Sequence, residues 1–461
     1  MGIDVIVVGG GIAGLSCAWR LSAAGKEVLV LEKRPVAGGN VFTEQVDGFR
    51  AERGPHTFMA SADDIFSLAG EVGLAGEVVP AMPTAGKRFI VRDGRLHAIP
   101  TGPLSFASSR LLSLQGKLAL AGEPFRTQRG QPGDTAQQFF SRRFGPEAAR
   151  VLAGAFISGV YAGDPSALSA PAAFPLFWRF EQEAGGMIRG AMRHRKRRRE
   201  EREARGDRGP RRKGLFSFRE GLGQLSAGLA ARLGQRIRVG SAVSSLERKE
   251  GIWVVRGEAG ELRSPRLVVA VPPAEAASLL AEFDGELAAL LRGIPLAPVA
   301  VVHLGYRQKA EAVPDGFGFL APRHEGVRAL GVLFPSRLFR GRAPDGGDLL
   351  TAYVGGMLDP GALDLDDGDL LALVERDLEK LLGMKGGPDV VKINRFPQAI
   401  PQCTLGHLDR IAGIEKRLLR MPGLALAGNY LRGVGMKDAV GSGFAAAART
   451  LDGLQSWKPA S

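Results

Sequence analysis

The chain has 461 residues, 45% of them hydrophobic, which excludes a disordered chain and, at roughly 150 residues per domain, allows about two or three domains. Its formal net charge is +13, and the stretch from Arg189 to Lys213, with thirteen basic and four acidic residues, supplies nine of those charges. The two cysteines, Cys17 and Cys403, are far apart and in no metal or redox spacing, so a disulfide framework is excluded and a reducing compartment fits.

An apolar strand begins at Ile3 without a charged leader, and no 18 apolar residues run unbroken, so neither a signal peptide nor a transmembrane helix is predicted. The expected location is cytoplasmic, with peripheral attachment to a membrane left open. "IDVIVVGGGIAGLSCAWRLSAAGKEVLVLEKR" then reads as strand, glycine turn, helix to about Ala24 and a second strand ending at Glu32, one βαβ unit. Gly9 permits the tight turn, Gly11 lets backbone approach a pyrophosphate, and Gly14 lets helix pack on strand. The helix N-terminus offers free N–H groups to phosphate, and Glu32 stands where a carboxylate accepts hydrogen bonds from a ribose. A bound dinucleotide is predicted.

Paired glycines at Gly38 and Gly39 and the "RGPHTF" turn, Arg53 to Phe58, follow. "RFIVRDGRLHAIP", 88 to 100, is predicted as a β-hairpin turning at Asp93-Gly94. Residues 101 to 200 read as a helical insert. Leu111, Leu114, Leu118 and Ala121 share one helical face there, which predicts packing against a core rather than lipid. The basic segment 189–213 lacks interleaved aromatics and contains Gly and Pro, so a solvated loop is predicted, with anionic lipid headgroups or a polycarboxylate substrate as its functional readings. Nucleic acid is not an expected partner. Strands recur at about 236 to 273, and strands and helices mix from about 295 to 405. At the end, "GLALAGNYLRGVGMKDAVGSGFAAAARTL" is strand, glycine turn and a helix from about Ala439. A helix N-terminus aimed at a flavin would stabilise its reduced anion.

The motif order resembles the amine-oxidase-like FAD flavoproteins. "ERGPHTF", "SGVYAGDPSALS", "PDGFGFL", "IPQCTLGHL" and "GNYLRGVGMKD" are most similar to the oxygen-dependent protoporphyrinogen oxidase family of haem biosynthesis, over nearly the whole chain. The resemblance implies an α/β plus α fold. A discontinuous Rossmann-like FAD domain would take 1–87, 215–294 and 406–461, a mixed-sheet substrate domain the 88–100 hairpin and 295–405, and a membrane-facing helical insert 101–200, with the basic loop to 214. It also implies non-covalent FAD, dioxygen as acceptor with hydrogen peroxide as by-product, and a plausible dimer.

Carried over residue by residue, the resemblance places FAD on Gly9, Gly10, Gly11, Ile12, Ala13 and Gly14, with Glu32 and Lys33 at the ribose. Gly39, Asn40, Gly54, Pro55, His56, Thr57, Val243, Phe396, Gly428, Val434, Gly435 and Met436 complete the cofactor set. For the substrate it implies Arg88 on a propionate, a role that suits a bidentate guanidinium, with Gly159, Leu320 and Tyr353 lining the pocket. By the residues alone, Arg88 reads equally as a strand-end arginine. The chain departs from the family pattern at Val36, where an arginine is usual and Arg34 is the nearest, and at Phe396, Cys403 and Ala439.

The six histidines show no metal spacing, no GxSxG elbow occurs, and no second glycine fingerprint offers an NAD(P)H site. The chemistry then belongs to the flavin, and no catalytic acid or base is assigned. Protoporphyrinogen IX is the expected substrate and coproporphyrinogen III its rival. An amine oxidase or carotenoid-type desaturase, and a non-catalytic nucleic-acid-binding flavoprotein, are the other readings.

Overall fold

The computed structural model describes residues 2–204 and 212–452. Its first sheet is wholly parallel, in the order Ile237–Arg238, Val28–Leu31, Val5–Val8, Arg266–Val269, Leu424–Leu426. A parallel sheet must be covered on both faces, and the alternation within Val5–Val8 shows how. Val5 and Val7 join a core with Leu15 and Leu21 of the helix Ile12–Ala23 and Val440 of the helix Met436–Asp452. Ile6 and Val8 point the other way, to Leu280, Leu287 and Ile414.

The second sheet is mixed and seven-stranded: Val390–Pro401, Leu296–Tyr306, Asp348–Gly355, Ala329–Leu333, Gly318–Leu320, Phe89–Arg92, Arg95–Ala98. Only the Gly318–Leu320 and Phe89–Arg92 pair is parallel. Asp93 and Gly94, both at positive φ, close the hairpin between the last two strands. In Leu296–Tyr306, Ala300, Val302 and Leu304 pack toward the helix Asp367–Leu382, while Val299 and Val301 face a separate cluster with Ala162, Leu330, Tyr353 and Phe396.

Helices between Pro103 and Ala204 form a third region around Phe139, Phe140, Ile157, Phe174 and Met187. Three expectations are corrected here. The leucine stripe does not face a core: in the helix Leu114–Ala121, Leu114 and Leu118 are 74% and 65% exposed, and only Leu111, before the helix, is buried. The basic segment is not a loop over its first part, because Met187–Ala204 is one helix. Lys196–Glu200, Arg197–Glu201 and Arg199–Glu203 pair at i,i+4 along it. The buried Glu123 carboxylate accepts the N–H groups of Met187 (2.7 Å) and Ile188 (3.2 Å), two donors that a helix start leaves free. The Gly and Pro invoked against a helix, Gly206, Gly209 and Pro210, lie outside the described residues. The C-terminal helix likewise begins earlier than Ala439, at Met436, where Asp438 accepts the Gly435 N–H at 2.9 Å.

Among the described residues no helix is long and apolar enough to cross a membrane.

Candidate functional site

The glycine turn after Val5–Val8 is determined by close contacts. Gly9 has φ +106°, and a Cβ there would stand 2.5 Å from the Ala270 carbonyl oxygen; one on Gly14 would stand 2.0 Å from that of Gly9. Gly11 differs, since its Cβ position faces open space, and no side chain caps the helix Ile12–Ala23 that it begins. The turn therefore presents bare backbone N–H groups of Ile12, Ala13 and Gly14 beside an empty position, a cradle that fits a pyrophosphate.

Glu32 braces this cradle. Its buried carboxylate accepts the Gly10 N–H at 2.7 Å through one oxygen and the Arg34 N–H at 2.8 Å through the other, leaving lone pairs for ribose hydroxyls. Gly38 donates to the Gly10 carbonyl at 2.8 Å, and a Cβ on Gly39 would reach the Gly11 Cα at 3.1 Å, so the paired glycines lie against the first turn. Asn40 meets the next predicted segment, because a Cβ on Gly54 would lie 2.4 Å from its carbonyl oxygen. The strand holding Val243 arrives beside Glu32 through the bond from Ser241 N–H to the Glu32 carbonyl, 2.9 Å. Lys33 turns away to Glu275, 2.6 Å.

The first and last described helices converge here. A Cβ on Gly443 would stand 2.3 Å from the Ala13 carbonyl oxygen, so the C-terminal helix crosses the first helix at its opening turn. That crossing positions the loop of Gly428, Val434, Gly435 and Met436, where Gly428 donates to Ser442 Oγ and Asn429 donates to the Val434 carbonyl.

The predicted substrate residues are joined through sheet register. Leu320 pairs with Gly331, Gly331 with Tyr353 and Tyr353 with Val301, one row whose side chains share a face. Gly159, in a π-helical turn Ile157–Tyr161 of the insert, meets that row: its Cβ would lie 2.2 Å from Leu320 Cδ2. Phe396, predicted as a cofactor contact, packs in the cluster with Tyr353. Arg88 is exposed at the head of Phe89–Arg92, two residues before Ile90, the partner of Leu320.

The Gly54, Pro55, His56, Thr57 turn ties both sheets together. The buried His56 ring lies 6.3 Å from that of His303 and 6.2 Å from that of Tyr353. Burial holds His56 well below the usual imidazole range, helped by His303 and Arg342, and brings His303 down to about 4, so both rings are neutral at pH 7. His303 Nδ1 is 3.0 Å from Thr351 Oγ1. Beside them, burial pushes Glu52 up to about 7 against the pull of Arg342, while Leu222 N–H and Thr43 Oγ1 donate to its carboxylate. Burial also pushes Cys403 up to about 12 and raises Cys17 further, so neither thiol is an available nucleophile. Among the described residues, no group of three or more His, Cys, Asp or Glu side chains is placed to hold a metal ion.

Sequence reasoning did not assign His303, Arg342, Asp438 or Arg34 to the site. Arg34 carried a signal, as the nearest arginine to Val36, and Asp438 another, as the acid that ends "GNYLRGVGMKD"; Arg34 Nη1 reaches the Gly39 carbonyl at 3.3 Å, on the rim of the cradle.

Residues 12–451 match the family described as flavin containing amine oxidoreductase. The chloroplastic protoporphyrinogen oxidase of Nicotiana tabacum is 36% identical over 459 residues, 95% of this chain and 83% of that protein. The coproporphyrinogen III oxidase of Bacillus subtilis is 28% identical, covering 98% of both chains. A solved structure from Exiguobacterium sp. 255-15, provisionally named protoporphyrinogen oxidase, superposes with a TM-score of 0.84 at 26% identity over 98% of this chain and 99% of that one.

Proposed function

We propose, on the premise that this chain belongs to the flavin-containing amine oxidoreductase family, that it oxidises protoporphyrinogen IX to protoporphyrin IX. It is an oxidase whose FAD is held non-covalently. The observation that carries the reading is the run of close contacts from the cradle through Gly39, Asn40 and Gly54 to the turn of His56, whose ring lies 6.2 Å from that of Tyr353 in the Leu320–Gly331–Tyr353 row. This supports a flat apolar substrate laid against the sheet face, with Gly159 letting the insert pack directly on Leu320.

The backbone of Gly9 to Gly14 would hold the pyrophosphate, Glu32 the ribose, and Gly39, Asn40, Gly54 to Thr57 and Val434 to Met436 the remainder of the cofactor. Bound FAD supplies the two-electron acceptor. Arg88 would bind a propionate and orient the macrocycle. Six hydrogens leave in three two-electron rounds, and dioxygen as acceptor would yield three hydrogen peroxide molecules. Coproporphyrinogen III is the second reading, favoured by the similarity to the Bacillus subtilis enzyme and weighed against by the higher identity to the plant protein.

The insert would rest on an anionic membrane surface. Leu104, Leu114, Leu118 and Phe125 are all more than 60% exposed, and Ile188 and Met192 are exposed on the basic helix itself. Cosedimentation with anionic but not zwitterionic vesicles is the expected result, and equal recovery with both would remove the lipid reading.

Anaerobic mixing of the yellow protein with protoporphyrinogen, coproporphyrinogen and an amine panel tests the function. Rapid bleaching by protoporphyrinogen, faster than by coproporphyrinogen, is expected; bleaching by an amine alone overturns it. Admitting oxygen should restore the colour with hydrogen peroxide formed.

A further inference from the structure

We propose that Phe317 is a positioning residue that holds the Arg88 guanidinium free for a substrate carboxylate. The proposal rests on the reading of Arg88 as the carboxylate-binding residue. Arg88 Cζ lies 5.1 Å from the centre of the Phe317 ring, within cation–π range. Five other arginines of this sheet and its loops are already committed: Arg92 to Glu147 and Glu325, Arg323 and Arg328 to Asp359, Arg337 to Asp348, and Arg395 to Asp367. Among the described residues, no carboxylate lies within 4.0 Å of the Arg88 nitrogens, and the Phe317 ring is the contact that its guanidinium makes.

The chemistry of the contact explains its use. A phenyl ring offers no carboxylate or carbonyl oxygen to the five guanidinium donors, so the contact leaves them for a stronger acceptor. A carboxylate can still approach edge-on and accept two parallel bonds. A protein carboxylate beside Arg88 would compete for those donors, whereas a ring fixes the side chain without competing.

The perch is itself fixed. The Phe317 ring packs against Ala85, Leu338 and Phe339. Its N–H donates to the Lys87 carbonyl at 2.7 Å, joining the backbones of the ring and of the residue before Arg88, and its carbonyl accepts from Phe334 at 3.1 Å. Gly316 leaves no slack, since a Cβ there would stand 2.7 Å from Phe89 Cε2 and 3.0 Å from the Lys87 carbonyl oxygen.

The test compares Phe317→Leu, Phe317→Tyr and Arg88→Ala, each with its flavin content and Tm measured, on protoporphyrinogen and on its dimethyl ester, whose carboxylates are blocked. Phe317→Leu should raise KM for the diacid about threefold to tenfold, leave kcat unchanged and leave KM for the ester unchanged. Phe317→Tyr, which keeps the ring, should behave as the unmodified protein, and Arg88→Ala should raise the diacid KM further. An unchanged KM in Phe317→Leu when Arg88→Ala raises it overturns the proposal; so does an equal rise with diacid and ester, which marks a plain apolar wall. An Arg88→Ala protein with unaltered diacid affinity overturns the Arg88 reading and this proposal together. Quenching of protoporphyrin fluorescence on binding reads the same contact without turnover. A protein that binds the diacid through Arg88 and Phe317 but never reduces its flavin would thus overturn the function alone.

Discussion

The glycine turn at residues 9–14 and the helical insert from Pro103 to Ala204 make opposite demands on sequence. In the turn, a backbone oxygen stands where a Cβ of Gly9 or Gly14 would be, so one residue type fits and the local pattern reveals the structure. In the insert the usual rule is reversed: Leu104, Leu118 and Phe125 are exposed, while Glu123, Arg143 and Glu181 are fully buried. Those buried charges are acceptable because they satisfy one another. Arg143 pairs with Glu123 and lies 3.8 Å from Glu181, and Glu123 also receives the start of the basic helix, 64 residues away in the chain. The atom that excludes a side chain at Gly14 belongs to Gly9 and the one at Gly9 to the distant Ala270, but both exclusions are readable because only glycine fits, whereas charge burial is settled by partners that no residue type announces.

The largest effect expected is within the turn. Gly14→Val should fail to give a folded yellow protein, because its side chain would overlap the Gly9 carbonyl. Gly11→Val, facing open space, should keep the circular dichroism of the unmodified protein and lose the flavin absorbance. If Gly11→Val retains its flavin, the cradle is assigned wrongly. In the insert, Arg143→Ala takes away the guanidinium that pairs with the buried Glu123, while Glu181 keeps Arg142 at 3.2 Å, and should cost about 3–5 kcal/mol in urea unfolding.

Glu52, between the two sheets, should give a smaller, pH-dependent effect. Its folded pKa is raised from 4.5 to about 7, so it contributes stability that is full below pH 4.5 and lost as pH rises through 7, on the order of 3 kcal/mol. His303 acts in the opposite sense: its folded pKa is lowered to about 4, so its contribution is present above pH 6.5 and lost as pH falls through 4. Glu52→Gln removes the first contribution and leaves the second, so its Tm should fall more steeply than that of the unmodified protein between pH 6.5 and 4. Parallel Tm curves would show that Glu52 does not titrate there. The smallest effect belongs to the exposed Arg197–Glu201 pair: Arg197→Ala should change stability by less than about 0.5 kcal/mol. A loss as large as that of Arg143→Ala would erase the contrast between buried and exposed charge.

The βαβ unit was legible because strand, glycines, helix and acid follow within 32 residues, each with a steric or electrostatic reason that demands its residue type. The basic helix was not. Its i,i+4 pairs were in the sequence, but its start depends on a carboxylate from another part of the insert. The leucine stripe failed for a related reason: periodicity identifies a face without identifying what covers it. His303 was visible only as an alternating strand residue, and its neighbour His56 lies in a turn nearly 250 residues earlier.

By itself, the sequence determined the glycine turn, the acid after the second strand, the strand and helix periodicities and the excess of positive charge, because each is marked by the residue types and spacing of the chain itself. Only the tertiary structure decided that Gly11 faces open space, which charges are buried and paired, and that Arg88 meets a ring in place of a carboxylate. Those outcomes depend on atoms brought within a few ångströms from distant segments, where packing and desolvation set the energy.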